Sequence, residues 1–170
     1  MMKHITAAAL LAFGLALPTP LAAQDYPTKT IRLIAPFAPG GPADMLARAI
    51  APVMSATLKQ PVVIENKAGA GGAVGVDAVA KAAPDGYTIG LSGPGALVSV
   101  PFMTTVPYNV ERDIMPIARV ATVSGVIAAG PKTGFKTLAD LIANAKANPG
   151  KVHFGSAGSG TTTHLAGELL

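Results

Sequence analysis

The sequence predicts an α/β fold in which parallel strands alternate with helices that cover both faces of a sheet. Short apolar segments rich in β-branched residues alternate with longer segments whose apolar residues recur at helical spacing. Glycine and other small residues lie where each strand would turn into the next helix. This strand–helix–strand order favours parallel strands joined by right-handed crossovers.

The first strand and helix are predicted between residues 31 and 53. The segment 31–37 (IRLIAPF) is apolar and leads to a Pro-Gly-Gly turn at 39–41, which indicates a buried strand. Pro42 follows at a position that the first turn of a helix tolerates. Apolar residues then recur at helical spacing, and Pro52 predicts a kink because it removes a backbone donor.

Two more strands and one helix complete the predicted first sheet. Residues 61–66 (PVVIEN) are rich in β-branched side chains and predict the second strand. A glycine-rich turn and a helix follow between residues 69 and 86, where Pro84 and Gly86 end the helix. Residues 87–93 (YTIGLSG) predict the third strand.

The second half of the chain predicts the start of another domain. The apolar segment 117–129 is long enough for a strand that crosses from one sheet to the next. A helix is expected after Thr137, its predicted N-cap, and before Asn148-Pro149-Gly150. Residues 152–157 (VHFGSA) predict a further strand, followed by a loop and a helix. We therefore expect a first α/β domain over 24–121 and an incomplete second one over 122–170.

The N-terminus has the layout of a secretory signal peptide over residues 1–23. A lysine precedes a short apolar run, and a tail of small residues ends at Ala23. The run is shorter than the about 20 residues that a membrane span needs, which disfavours the alternative of a retained anchor. We expect cleavage after Ala23 and export to the periplasm.

Composition excludes several classes of function. The net charge is a mild +4 and the basic residues are scattered, so no nucleic-acid-binding surface is predicted. The chain has no cysteine, which excludes disulfides and thiolate metal sites and fits a bacterial periplasm. No metal or other cofactor is expected.

Three loops that follow predicted strands share one chemistry. They are PGGPAD (39–44), NKAGAGGAVG (66–75) and GSAGSGTTTH (155–164). In an open α/β sheet, ligands lie beyond the carboxyl ends of the strands. Glycine exposes backbone N–H groups, and a helix N-terminus adds unpaired donors and a partial positive charge. Such loops predict a pocket for a small carboxylate that needs no lysine or arginine. Hydroxyl donors would come from Ser156, Ser159, Thr161 and Thr162.

A structural role for the same residues remains open. Glycine at a strand–helix turn often serves only close packing. Asp44 suits a helix N-terminus, where a carboxylate contributes about 0.3–1 kcal/mol through the dipole, and it would repel an anionic ligand. Ser159 or Thr161 suits an N-cap of the last helix. A cap and an anion site use neighbouring donors, so one role does not exclude the other.

Motifs of enzymes are incomplete in this chain. The stretch GAGGAV lacks the last glycine of the dinucleotide fingerprint, with Val74 in its place. GPKTGFKT has Phe135 where a phosphate loop needs glycine. Neither Ser92 nor Ser159 lies in a G-x-S-x-G elbow. His153 and His164 are too far apart for one metal-binding helix. We therefore predict a protein without catalytic residues.

The order of these loops resembles the Bug family of periplasmic solute-binding receptors, the TctC type, which serve tripartite tricarboxylate transporters. The resemblance starts at YPTKTIRLIAPFAPGGPADMLAR and runs through QPVVIENKAGAGGAVG, APDGYTIGL and VPYNVERDIMPIARV. It ends with TLADLIANAKANPGKVHFGSAGSGTTTHLAGELL. Departures from the family pattern are Ala43 in place of a hydroxyl residue, Lys67-Ala68 in place of Arg-Pro, and Ala73 in place of Asn.

The resemblance implies a two-domain flytrap of the type II periplasmic-binding-protein kind, a monomer that clasps a small carboxylate and delivers it to membrane subunits of the transporter. By motif, the first-domain wall of its ligand site would be Pro39, Gly40, Gly41 and Asp44. The second-domain wall would be Ser156, Gly158, Ser159, Thr161 and Thr162.

Members of that family are longer than this chain, so we expect a fragment or a truncated reading frame whose second domain is incomplete. Such a chain should expose apolar surface and bind ligand weakly. Two alternatives stay open: a small periplasmic α/β hydrolase or transferase that uses the Ser/Thr loop, and a product with no function of its own. The sequence does not identify the carboxylate.

Overall fold

A computed structural model describes residues 25–170 of the chain, so the predicted signal peptide lies outside the described residues. The first part contains strands β1 (Ile31–Ala35), β2 (Val62–Asn66) and β3 (Thr88–Gly90), with helices α1 (Pro42–Leu58) and α2 (Ala73–Ala80) between them. The later helices are α3 (Val100–Met103), α4 (Val110–Asp113), α5 (Leu138–Ala147) and α6 (Thr162–Glu168). Short helical turns lie at Ala70–Gly72, Gly95–Ser99 and Pro131–Thr133.

The three strands form one parallel sheet in the order β2-β1-β3. Leu33 in the central strand lies opposite Ile64 on one side and Ile89 on the other. Parallel neighbours need a crossover between them, and α1 and α2 supply the two crossovers. The predicted α/β class, with a parallel sheet and flanking helices, is therefore confirmed.

The core consists of two apolar clusters, and one of them packs α1 against the sheet. On one face, Leu33 and Ala35 of β1 pack against Ala47 and Ala51 of α1. The alanines allow the helix to approach the sheet closely, which removes apolar surface from water on both elements. The helix continues through Pro52 as one element.

The second cluster joins α2 to the helical turn and the short helix that follow β3. Its buried members are Ala73, Val76, Ala96, Val100 and Tyr108. The Tyr108 hydroxyl donates a hydrogen bond to the Ala96 carbonyl at 2.7 Å, which satisfies its polar atom inside this cluster.

The predicted strands at 117–129 and 152–157 are not formed in the described chain. Both segments run as irregular backbone, and apolar side chains of the first are open to solvent, with Val126 at 88% exposure. A strand exists only where another segment pairs with its N–H and C=O groups, and among residues 25–170 none lies alongside either segment. The local pattern was suited to a strand, but pairing is a property of the whole fold.

The helix predicted after Thr137 is confirmed as α5, and its cap is complete. The Thr137 hydroxyl accepts from the Asp140 N–H at 3.2 Å, and the Asp140 carboxylate accepts from the Thr137 N–H at 2.9 Å. This helix buries none of its residues, and Leu138 is 49% exposed. The division of the chain at residue 122 stays a prediction.

Within residues 25–170, no helix combines the length and the apolar character that crossing a bilayer would require.

Candidate functional site

Parallel pairing brings the first two glycine loops to the same edge of the sheet. Ala35, the last residue of β1, lies opposite Asn66, the last residue of β2. The chain leaves both strands at this edge, so the first glycine loop (39–44) and the second glycine loop (66–75) are neighbours. This is the position where α/β sheets hold ligands.

The first glycine loop is organised around the buried carboxylate of Asp44, whose exposure is 2%. Its Oδ2 accepts from the Gly40 N–H and from Arg48 Nε, both at 2.9 Å, and its Oδ1 accepts from Asn66 Nδ2 at 3.0 Å. The hydrogen bonds from Arg48 and then from the Gly40 amide lower the pKa of Asp44 to about 2, although burial opposes them. The carboxylate is therefore ionised and internally satisfied.

Asn66 connects this loop to the sheet. The same Nδ2 that reaches Asp44 also donates to the Phe37 carbonyl at 3.0 Å. The loop turns at Gly40, whose φ of +83° is a left-handed value that glycine adopts without steric cost. The turn is thus tied at two points to the end of the neighbouring strand.

The second glycine loop lies between the first glycine loop and the last one (155–164). On one side, Asn66 Nδ2 donates to Asp44 Oδ1 at 3.0 Å, and a β-carbon at Gly72 would come within 3.3 Å of the ring of Phe37, just before the first glycine loop. On the other side, a β-carbon at Gly71 would overlap the Ser159 carbonyl oxygen. Gly71 also has a φ of +62°, so both its conformation and its surroundings require glycine. The three loops therefore contact one another in series.

Within the last glycine loop, Thr161 is the N-cap of α6. Its hydroxyl donates to the Gly158 carbonyl at 2.6 Å and accepts from the His164 N–H at 3.4 Å. Thr161 is buried, and Gly95 packs closely against it. A β-carbon at Gly95 would lie only 3.1 Å from the Thr161 Cα atom. The capping alternative considered for Thr161 is therefore the one observed.

Some N–H groups of these loops already have partners, and others make no hydrogen bond within the described residues. The Gly40 amide donates to Asp44, and the Gly41 amide donates to the Ala38 carbonyl at 3.3 Å. In the part of the chain that the structure describes, two N–H groups of the first turn of α1 make no hydrogen bond, those of Ala43 and Asp44. Before and at the start of α6, the N–H groups of Ser159, Thr162 and Thr163 likewise make no hydrogen bond within the described residues.

The remaining predicted site residues lie on the surface of the same two loops. Pro39, Ser156, Ser159 and Thr162 are exposed, and Gly158 is half-buried. The Ser156 hydroxyl accepts from the Gly158 N–H at 3.4 Å, which leaves the Ser156 proton free to donate. Two grooves, of 380 and 640 Å³, lie elsewhere, and no residue of the three loops lines them.

Groups suited to catalysis or metal binding are not assembled around these loops. Among residues 25–170, no three potential metal ligands cluster, and no hydrogen bond joins Ser159 to a histidine. His164 is directed elsewhere, with Nδ1 accepting from the Gly160 N–H at 3.5 Å and Nε2 lying 3.6 Å from Glu168.

Sequence reasoning missed three residues of this region: Arg48, Asn66 and Gly95. The spacing of Arg48, four residues after Asp44, is a readable signal for an ion pair on one helix face. Asn66 and Gly95 act on residues far away in the sequence, so no local pattern indicates their roles.

A family model described as "Tripartite tricarboxylate transporter family receptor" matches residues 46–170. Protein BugT of Bordetella pertussis is 43% identical over 153 residues, which cover 89% of this chain and 47% of BugT. A protein encoded in the tcbD-tcbE intergenic region of a Pseudomonas species is 42% identical over 145 residues, which cover 85% of this chain and 43% of that protein. The chain thus spans about half the length of the curated relatives it matches.

Solved structures give the same result for the fold. A structure described as a periplasmic transporter superposes with a TM-score of 0.80 at 41% identity, over 85% of this chain and 49% of the other. An R. palustris protein solved with adipate gives a TM-score of 0.80 at 34% identity, with the same shares. The periplasmic binding protein BugD gives 0.69 at 34% identity, over 85% of this chain and 48% of BugD. The chain belongs to the receptor family of tripartite tricarboxylate transporters, a family of solute-binding receptors and not of enzymes.

Proposed function

We propose that this chain carries the carboxylate-binding loops of an extracytoplasmic solute receptor that delivers its ligand to the membrane subunits of a tripartite tricarboxylate transporter. The observation that carries the proposal is the meeting of three glycine loops at one edge of a parallel sheet, with Gly71 directly against Ser159. Pro39, Gly40, Gly41 and Asp44 shape one wall, and Ser156, Gly158, Ser159, Thr161 and Thr162 shape the other.

A carboxylate would be held by main-chain donors at the first wall. The free N–H groups of Ala43 and Asp44 begin a helix of 17 residues, whose N-terminus carries a partial positive charge. The Asp44 side chain does not cancel that charge, because the Arg48 guanidinium lies 2.9 Å from it. The second wall adds the free amides of Ser159 and Thr162 and the Ser156 hydroxyl.

The ligand class follows from the donors available. Amides and hydroxyls can bind an anion. Arg48 is hydrogen-bonded to Asp44, so the proposed anion site does not use the Arg48 guanidinium. One similar structure was solved with adipate, a small dicarboxylate, and this makes adipate the first probe to test. The receptor would act as a monomer in the periplasm, after removal of the predicted signal peptide, and without a cofactor or nucleic acid.

The test is a titration of the isotopically labelled chain with adipate, followed by NMR of the amide signals, which detects millimolar dissociation constants. We expect saturable shifts at Ala43, Asp44, Ser159 and Thr162. Adipamide, which has the same carbon chain without charges, is the matched control and should cause none. Equal shifts with both compounds, or shifts confined to residues outside the three loops, would contradict the proposal. Hydrolysis of an adipate ester that Ser159→Ala abolishes would favour the hydrolase alternative.

A further inference from the structure

We propose that Asn66 and Asp44 are positioning residues, whose side chains hold the first glycine loop in its ligand-binding shape and do not touch the ligand. This inference rests on the proposed function and adds to it a residue, Asn66, that lies outside the predicted walls. It also changes the role of Asp44 from a contact residue to a support of the loop.

The first step is that donors of the chain itself surround the Asp44 carboxylate. Both oxygens have partners, Oδ2 with the Gly40 N–H and Arg48 Nε, and Oδ1 with Asn66 Nδ2. The side chain is also buried. Oδ1 could accept one further donor, but at 2% exposure a ligand reaches it only if the loop opens and these hydrogen bonds are lost, which is costly inside a protein.

The second step is the double donation from Asn66. A side-chain amide has two N–H bonds, and here one reaches the Phe37 carbonyl and the other reaches Asp44. The backbone of Asn66 is itself aligned by pairing with Ala35. Aspartate at this position would have the same size, but it would donate neither bond and would bring a second negative charge beside Asp44.

The third step links this support to the ligand. The residues tied by Asn66 and Asp44, Phe37 and Gly40, immediately precede the free N–H groups of Ala43 and Asp44. If the loop were not held, binding would have to order it, and the entropy of ordering would weaken the complex. Asn66 therefore increases affinity by preparing the donors in advance.

The experiment compares Asn66→Asp with Ser55→Ala in the full chain. The Ser55 hydroxyl accepts from the Val62 N–H at 2.9 Å. This bond joins α1 to β2, as the Asp44–Asn66 bond does, but at the end of both elements that is far from the first glycine loop. Ser55→Ala is therefore a matched control that lowers stability without disturbing the loop. We measure the adipate dissociation constant, the urea midpoint and the hydrogen-exchange rate of the Gly40 amide.

Asn66→Asp should raise the adipate dissociation constant about tenfold or more, since two hydrogen bonds are lost, and should speed exchange at Gly40. Ser55→Ala should lower the urea midpoint while leaving both other quantities unchanged. The double variant Asn66→Asp with Asp44→Asn exchanges the amide and the carboxylate between the two positions. It keeps an acceptor for Gly40 and restores a donor between residues 44 and 66, so part of the Gly40 protection should return.

Wild-type exchange at Gly40 in Asn66→Asp would overturn the inference, and so would an unchanged adipate dissociation constant in that variant. Equal effects of Ser55→Ala on the Gly40 amide would also overturn it, because they would mean that any loss of stability loosens the loop. If the wild-type chain does not bind adipate or other carboxylates, the proposed function fails, while the exchange measurement still decides whether Asn66 holds the loop.

Discussion

Gly71 lies directly against the Ser159 carbonyl oxygen, with no room between them for a β-carbon. Eighty-eight positions separate the two residues in the sequence. Through this contact, the last glycine loop packs against the second glycine loop. Gly95 against Thr161, and Gly160 against Val100, extend the same contact. The last loop is therefore held in place by close approach of backbones at glycine positions.

Gly71→Ala should separate the last loop from the second one. The added methyl group overlaps Ser159, and the left-handed φ of +62° adds strain, so we expect a loss of about 1–3 kcal/mol in the free energy of unfolding. Urea titration measures it. Gly125→Ala is the control, because a β-carbon at Gly125 would have no atom within 4 Å and its effect should stay within about 0.5 kcal/mol. Equal losses in the two variants would mean that the loops do not depend on close approach.

Acid should remove the stabilisation that Asp44 provides. Its pKa is lowered to about 2 in the folded chain from an ordinary value of 3.8, so its contribution is fully present above the ordinary value and is lost as the pH falls toward 2. Stability measured from pH 2 to 6 should therefore differ between wild type and Asp44→Asn at the upper end and converge at the lower end. Parallel curves would show that the ionised carboxylate contributes nothing to folding.

Thr137→Ala should loosen α5 without unfolding the protein. The change removes the hydroxyl that accepts from the Asp140 N–H, and loss of an N-cap costs about 0.5–2 kcal/mol of helix stability. Because α5 buries no residue, the loss should appear as faster amide exchange in residues 138–147 and not in the urea midpoint. Thr137→Ser keeps the acceptor and should leave exchange close to wild type. A lowered urea midpoint in Thr137→Ala would show that α5 is coupled to the core.

The apolar segment 117–129 should bind hydrophobic dyes in the isolated chain. Val126 is 88% exposed and Ile127 is 60% exposed, and a contiguous apolar surface of this kind attracts other molecules. The double change Val126→Ser with Ile127→Ser should reduce dye fluorescence while the urea midpoint stays unchanged, because neither side chain packs in a core. A fall in the midpoint would show that these side chains are buried in solution.

Elements whose causes are local could be predicted from the sequence. The three strands of the sheet follow from short apolar runs, and the start of α1 at Pro42 and of α5 after Thr137 follows from proline and capping preferences that act within one turn. The glycine loops after the strands were also readable, because strand–helix turns need small residues. These features require no knowledge of which segments meet in space.

Features that depend on partners far away in the sequence could be seen only in the folded chain. Asp44 was ambiguous in the sequence, and only the fold brings Asn66, 22 positions away, to donate to its carboxylate. The segments 117–129 and 152–157 have strand-like composition, but they form no strand because pairing needs a neighbour that local pattern does not supply. The contact between Gly71 and Ser159 is also not readable from the sequence, because the packing of the sheet and its loops brings these two distant backbone segments together.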